Sequence, residues 1–284
     1  MARPRNGRHF DIVIVGAGSA GCVLANRLTD DTGLSVLLIE AGPADRSPLI
    51  HIPGMFATMY QKGRFSWVYP TVPQASVDGR VLRDVRGKVL GGSSSTNGML
   101  YCRGAAADYD GWAAMGNAGW SYAEVLPYFR RAENHGSGED AYHGVGGPLH
   151  VHRSRVEDPL SRAFIAAGVE AGFPYNPDIN GAQREGFGPA ESTVWRGRRW
   201  SAASAYLRPA RGRANLTILT GAQVTRVLVD RGRATGVELL RGKSLERYEA
   251  GEVVLSAGAF QSPHLLAPRT FFSTGQSPFS DCNC

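Results

Sequence analysis

Lysine and cysteine are scarce in this 284-residue chain, and long apolar runs are missing from it. The four cysteines, two of them the terminal pair Cys282 and Cys284, make neither a disulfide framework nor a metal-ligand spacing, so a reducing cytoplasm is the expected compartment. No apolar run approaches the roughly 20 residues of a membrane span. The basic start, residues 1–9, leads straight into a strand-like segment with no signal-type apolar stretch or small-residue cleavage site. Lys62, Lys88 and Lys243 are the only lysines among 31 basic residues, so the net charge of +6 and the pI near 9.3 come from arginine. Arg196, Arg198, Arg199, Arg208, Arg211 and Arg213 form a basic stretch flanked by Trp195 and Trp200. Aromatics are not interleaved with it as stacking platforms would be, and it reads as a solvated face, not a nucleic-acid site. No G-x-S-x-G elbow follows a strand, which speaks against a Ser/His/Asp hydrolase. There is no internal repeat.

Glycine, in contrast, is abundant, with 36 residues. Two stretches organise it. The first, Gly16-Ala17-Gly18-Ser19-Ala20-Gly21, follows the apolar run 10–15 and precedes Cys22-Val23-Leu24-Ala25-Asn26-Arg27-Leu28, which has helical spacing. In such a strand–turn–helix unit Gly16 permits the turn, Gly18 lets a pyrophosphate approach the backbone, and Gly21 lets the helix pack close to the strand. The phosphate then rests on free N–H groups at the positive end of the helix dipole. A second apolar run, 34–39, ends at Glu40, 24 positions after Gly16, where a carboxylate would take a ribose hydroxyl.

The second stretch runs from Gly87 to Gly98. Gly91 and Gly92 allow close backbone approach, and 93–97 is expected to open a helix whose N–H groups face an electron-rich ligand edge. Val89, Leu90, Met99 and Leu100 bracket it as packing segments, which a flexible linker would not need. Donors of this kind stabilise a flavin that becomes anionic on reduction. The two stretches and the acid between them point to FAD.

Between the stretches, 42–84 lacks a long helical pattern but carries Phe56, Tyr60, Phe65, Trp67 and Tyr69, and reads as a connection that covers a ligand. Ser121-Tyr122-Ala123-Glu124 is a capping box opening a helix to about Glu133, and Asp158-Pro159 starts another that ends at Gly172. Segments 215–220, 223–230, 234–240 and 245–250 read as an antiparallel meander, followed by a strand over 252–259 that returns to the parallel sheet. The expected fold class is α/β: a Rossmann-like FAD-binding domain with a parallel sheet and an antiparallel β-meander, interleaved with part of a substrate domain. Its strands 10–15 and 34–39 are joined by a right-handed crossover.

Several blocks resemble the glucose-methanol-choline (GMC) oxidoreductases, especially their choline dehydrogenase branch. These are 11–21, Leu38-Ile39-Glu40-Ala41-Gly42, 87–104 with Asp110 and Trp112, Tyr142-His143-Gly144 with Gly147-Pro148-Leu149, Asn180-Gly181 with 185–189, and 256–263. Thr96 stands where an aliphatic residue is usual. The resemblance implies oxidation of a small-molecule alcohol by hydride transfer to FAD, with oxygen, a quinone or a carrier protein as electron acceptor. By position, Gly16, Gly18, Gly21 and Glu40 match ADP-binding residues, and Gly92, Ser93, Asn97 and Gly98 those near the pyrophosphate and isoalloxazine. Val224 matches a residue touching the adenine, and Ser19, Ala20, Ala41, Met99, Ala257 and Gly258 stand beside these as cofactor-binding neighbours. The implied domains are 9–155 and 214–266 for FAD and 156–213 for a partial substrate domain, with 267–284 an aberrant tail.

In such proteins a histidine near the C-terminus, aided by a second histidine or an asparagine, takes the alcohol proton. The chain has no counterpart, and the second family signature breaks off after Leu266, so a truncated or frameshifted product without a catalytic base is expected. His9, His51, His135, His143, His150, His152 and His264 lack the right neighbours. His150 and His152 share a strand face but lack a third ligand, and read as a solvated pair; His143 reads as structural, and no metal is assigned. Two alternatives stay open. A nicotinamide-dependent dehydrogenase shares the first stretch but leaves the second unexplained, and a non-catalytic nucleotide-binding module would show no turnover when loaded with flavin.

Overall fold

Apolar runs bounded by glycine become strands in the computed structural model, which describes residues 8–30 and 32–267. In chain order come β1 (His9–Val15), α1 (Ser19–Leu28), β2 (Val36–Glu40), α2 (Pro48–His51), α3 (Phe56–Lys62) and the hairpin β3 (Ser66–Pro70) with β4 (Arg83–Gly87). Then follow α4 (Ala106–Ala114), α5 (Tyr122–Ala132), β5 (Glu133–His135), β6 (Leu149–Arg153), α6 (Pro159–Glu170), β7 (Glu191–Ser192), β8 (Val194–Trp195) and β9 (Arg198–Arg199). The chain closes with α7 (Arg208–Ala210), β10 (Leu216–Thr220), β11 (Ala222–Asp230), β12 (Arg233–Arg241), β13 (Ser244–Leu255) and α8 (Gly258–Leu266). These fall into two compact units, Gly98–Trp200 forming one and the residues on either side of it the other. The expected boundaries at 155/156 and 213/214 lie inside these units. Strand β6 explains the first difference, because it pairs with β5 on one side and with β7 on the other.

The flanking unit is built on a six-stranded sheet in the order β10-β2-β1-β13-β12-β11. Strand β1 lies inside it, parallel to both β2 and β13, so the fold is α/β with a parallel core as expected. Two expectations change. Segment 216–220 does not join the meander: it pairs parallel with β2, Leu216 opposite Val36 through Thr220 opposite Glu40. Strand alternation defines a strand's faces but not its neighbour, and the positive φ of Gly221 bends the chain out of β10 into β11 without folding them together. Nor are 245–250 and 252–259 separate strands; β13 runs unbroken from Ser244 to Leu255, pairing antiparallel with β12 at its start and parallel with β1 at its end. Beyond it, Gly258 and Ala259 open α8 instead of extending the strand.

The core follows from this sheet. Val13, Val15, Leu37, Ile39, Leu219, Val237 and Leu239 pack together with Ala257 and Leu265 against them. Each fully buried aliphatic side chain there contributes about 1.5–3 kcal/mol relative to exposure.

In the Gly98–Trp200 unit the two sequence-read helices form within a residue or two of their expected bounds. Ser121 N–H donates to Glu124 Oε2 at 3.1 Å, and Asp158 Oδ1 accepts from Ser161 N–H at 2.7 Å. Helix α6 is held through Gly168, where a Cβ would come within 2.3 Å of the Phe187 ring, while Leu160 and Phe164 stay exposed. Of the tail expected to be aberrant, all but Ala267 lies outside the described residues. Among the described residues, no helix is long and apolar enough to cross a membrane.

Candidate functional site

The turn after β1 is shaped by what its glycines exclude. Gly16 has φ +98°, and a Cβ on it would sit 2.5 Å from Ser256 O; a Cβ on Gly21 would sit 1.9 Å from Gly16 O. Helix α1 therefore starts flush against the turn. A Cβ on Gly18 would come no nearer than 3.9 Å to any neighbouring protein atom. The first turn of α1 carries no acidic residue, so its free N–H groups keep their positive end uncompensated.

The two glycine stretches meet here. Gly91 N–H donates to Ala17 O at 2.8 Å, and a Cβ on Gly92 would lie 2.7 Å from Gly18 Cα. Gly91 and Gly92 both adopt positive φ, which only glycine takes cheaply. The second stretch does not open a longer helix, as the sequence suggests; it makes a single tight turn, Gly92–Ser95. Its hydroxyls fold back on the backbone, Ser94 Oγ donating to Gly91 O at 2.6 Å and Ser95 Oγ to Leu90 O at 2.7 Å, which competes with helix propagation.

Around this contact lies a cavity of about 470 Å³. Of the expected cofactor residues, Gly16, Gly18, Ser19, Ala20, Glu40, Ala41, Gly92, Ser93, Val224, Ala257 and Gly258 line it. Gly21 packs behind the turn, and Asn97, Gly98 and Met99 are not among the lining residues. Glu40 is buried, its Oε2 accepting from Ala17 N–H at 3.0 Å and its Oε1 from Gly42 N–H at 2.9 Å. Burial pushes its carboxyl above the usual range, against the pull of those N–H groups.

The β3–β4 hairpin contributes Trp67, Tyr69 and Arg86 to the wall, so part of the connection read as a ligand cover does line the cavity. Tyr69 stacks on Phe260 at 5.0 Å between centroids and accepts from Gln261 Nε2 at 2.6 Å, while the Arg86 guanidinium lies 5.0 Å over the Phe260 ring. The sequence reading missed Arg86, Gln223, Phe260, Gln261 and Ser262. The available signals were the positive side chain next to Gly87 and the family block 256–263, which holds Phe260, Gln261 and Ser262.

These residues fit an extended dinucleotide. The glycine cradle leaves backbone open at Gly18, a helix N-terminus offers N–H groups to a pyrophosphate, and Glu40 retains carboxylate lone pairs for a hydroxyl. The volume falls in the range of cofactor sites.

The histidines lie elsewhere. His150 is half-buried, its ring stacking on Trp195 at 3.8 Å and meeting Trp200 edge-on at 4.9 Å, while His152 is exposed. His143 is buried with His135, Glu133 and Glu191 in the Gly98–Trp200 unit. The arginines of the basic stretch also differ in role. Arg199 is buried, Arg211 pairs with Asp45 at 2.8 Å and Arg213 with Asp30 at 2.8 Å, whereas Arg196, Arg198 and Arg208 are exposed.

With this geometry described, comparison with known proteins places the chain. Residues 10–270 match the family model of the GMC oxidoreductases, and the chain belongs to that family. It is 48% identical over 257 residues to an oxygen-dependent choline dehydrogenase of Sinorhizobium fredii (90% of this chain, 47% of that protein), and 49% identical to one from Rhizobium etli with the same coverage. Among solved structures it resembles pyridoxine 4-oxidase from Mesorbium loti, with TM-score 0.87, 41% identity, and coverage of 90% of this chain and 51% of that one. It also resembles an FAD-dependent oxidoreductase from Chaetomium thermophilum, with TM-score 0.85, 30% identity, and coverage of 92% and 48%. The chain thus spans about half the length of the curated relatives it matches. Both findings agree with FAD as the cofactor expected from the two glycine stretches.

Proposed function

We propose that this chain forms the cofactor-holding part of an FAD-dependent oxidoreductase that oxidises a small CH–OH donor of the choline type. The observation that carries the reading is the backbone contact of the two glycine stretches at one cavity, with the Glu40 carboxylate on its wall. When bound, FAD supplies the acceptor for the hydride leaving the carbinol carbon. The chain's own residues bind and orient: α1 N–H groups take the pyrophosphate, Glu40 a ribose hydroxyl, Val224 the adenine end, and the 92–93 backbone the electron-rich ring edge.

No histidine or aspartate is among the lining residues, and Glu40, the one carboxylate there, is committed to two N–H groups. A positioned base typically contributes about 10²–10⁴-fold to rate. We therefore expect this chain to bind flavin without oxidising alcohols at an enzymatic rate. Flavin titration, followed by absorbance and fluorescence, tests the site. Glu40→Ala removes a charge-assisted hydrogen bond of about 1.5–3 kcal/mol, or roughly ten- to a hundred-fold in affinity. Gly18→Val should weaken binding further by filling the pyrophosphate path. Equal affinity in the three proteins would remove the site assignment. Anaerobic mixing of the loaded chain with choline tests the second part: bleaching within seconds would mean that a base is present.

A further inference from the structure

The Gly98–Trp200 unit holds a buried charged cluster that cofactor binding does not use. His143 lies between two carboxylates, Nδ1 being 3.1 Å from Glu133 Oε1 and Nε2 2.9 Å from Asp178 Oδ2. A neutral imidazole has one N–H and can serve only one of them; the other nitrogen would turn its lone pair on a carboxylate. Both contacts are short, so the ring carries both protons. The surrounding charges agree. The Arg103 guanidinium lies 2.8 Å from Glu133, and Arg153 lies 3.0 Å from Glu191 and 3.4 Å from Asp178. With the His143 imidazolium, three positive groups balance Glu133, Asp178 and Glu191. His135 stacks on the His143 ring at 4.0 Å and contacts Glu191 at 2.8 Å. Asp140 accepts from the His143 backbone N–H at 2.7 Å, and Arg130, itself paired with Glu139, donates to His143 O at 3.3 Å.

We propose that His143 is a proton-operated clamp: loss of one ring proton releases Asp178 and its 176–181 turn, and with them the hold of Asn180 on the backbone at 101–103. Asp178 is the partner that gives way. Glu133 is fully buried and also accepts from Gly144 N–H at 2.8 Å, whereas the Asp178 side chain is 22% exposed and water can replace the ring. Two residues along the same turn, Asn180 Oδ1 accepts from Arg103 N–H at 2.8 Å, and Asn180 Nδ2 donates to Tyr101 O at 3.1 Å and Glu191 Oε2 at 2.8 Å. Burial alone would lower the affinity of His143 for its proton; the hydrogen bonds to Glu133 and Asp178 outweigh it and hold the ring at about 8, against 6.5 unperturbed. A group raised on closing favours the closed turn fully below pH 6.5, and the contribution disappears as pH rises through about 8.

The test follows His143 ring resonances by NMR and amide exchange across 176–181 in the full chain between pH 6 and 9, corrected for intrinsic exchange. The wild-type midpoint should lie near 8, with protection of the turn falling by up to about thirty-fold across the window, the factor that corresponds to the whole of the raised proton affinity, of which Asp178 supplies a part. His143→Gln should show the weaker protection at every pH with no step. Asp178→Asn, whose amide oxygen still accepts from the ring, should move the midpoint toward 6.5 and remove most of the step; it carries the test if His143→Gln does not fold. A midpoint at or below 6.5, a titration that leaves the turn's protection unchanged, or a step that persists in His143→Gln would each overturn the clamp. So would a midpoint that shifts on adding EDTA, which would make the cluster a metal site.

Discussion

The two compact units differ in how much apolar side chain accompanies their buried polar groups. Around the six-stranded sheet, Val13, Ile14, Leu37, Leu38 and Ile39 are exposed by no more than 1%. In Gly98–Trp200 the buried set is Arg103, Glu133, His135, His143, Asn176, Asn180, Glu191 and Arg199, with the apolar side chains of Met99, Val151 and Pro189 beside them. Apolar packing is non-directional and indifferent to pH, and tolerates exchange of one shape for a similar one. A buried ionic network depends on every partner, because removing one leaves another charged and unpaired. The sheet behind the cofactor cavity thus rests largely on the tolerant kind of packing, and the other unit on the demanding kind.

The comparison is broken most severely by removing one network carboxylate. Glu191 serves His135, Asn180 and Arg153 at once, and these contacts outweigh burial and hold its carboxyl down at about 2. Glu191→Ala should cost about 3–5 kcal/mol, the loss expected when a buried pair is broken from one side. Tryptophan fluorescence in a denaturant series reads it, since Trp112, Trp120, Trp195 and Trp200 belong to this unit and only Trp67 to the other. A loss below about 1 kcal/mol would mean that the network does not hold the unit.

In the sheet, Leu37→Ala should cost about 2–5 kcal/mol, and Leu37→Met less than about 1.5. The contrast with Glu191 lies in that second figure: a shape-matched replacement rescues an apolar site, while Glu191→Gln should not rescue a site that balances charge. Denaturant midpoints at constant m-value for the four variants measure this. Equal rescue in both units would erase the distinction.

Legibility from sequence divides along the same line. The β1–α1–β2 unit and the places of Gly16, Gly21 and Glu40 in it could be read because they depend on close spacing and, at Gly16 and Gly21, on positions where a Cβ does not fit. Much of the network could not, because its members come from distant positions: His143 contacts Asp178 35 residues away, and His135 contacts Glu191 56 residues away. No periodicity marks such pairs, and Glu133, His135 and Glu191 drew no functional reading. The family blocks around His143 and Asn180 flagged these positions without supplying their partners. Strand β10 was misassigned for a related reason, since a parallel partner 180 residues earlier leaves no local trace. The wall residues Phe260 and Gln261 lay within the family block 256–263 but drew no role, because reading 252–259 as strand missed the turn into α8 that brings them to the cavity.

A pH series sharpens the comparison with a smaller effect. His143, raised to about 8, contributes about 2 kcal/mol that is complete below pH 6.5 and gone above its folded value. Glu191, depressed to about 2, contributes stability that is complete above its ordinary value of 4.5 and is lost as pH falls toward 2. The Gly98–Trp200 unit should therefore be most stable between about pH 4.5 and 6.5, and its tryptophan-detected midpoint should fall on both sides of that window. Apolar packing in the sheet adds no such dependence of its own. A midpoint that stays level from pH 6 to 9 would contradict the clamp.

The smallest expected effect separates two helical glycines. Gly21 in α1 cannot carry a side chain, because its Cβ would sit 1.9 Å from Gly16 O. Gly111 in α4 is exposed, has no neighbour within 4 Å of a Cβ, and has ordinary helical backbone. There glycine brings only its entropic cost, so Gly111→Ala should stabilise the Gly98–Trp200 unit by about 0.5–1 kcal/mol. The denaturant midpoint should rise at unchanged m-value. The gain should add to that of any sheet-core variant, since residues without shared partners behave independently. A fall in the midpoint would mean that α4 is not an isolated surface helix and that its Gly111 face packs against something in solution.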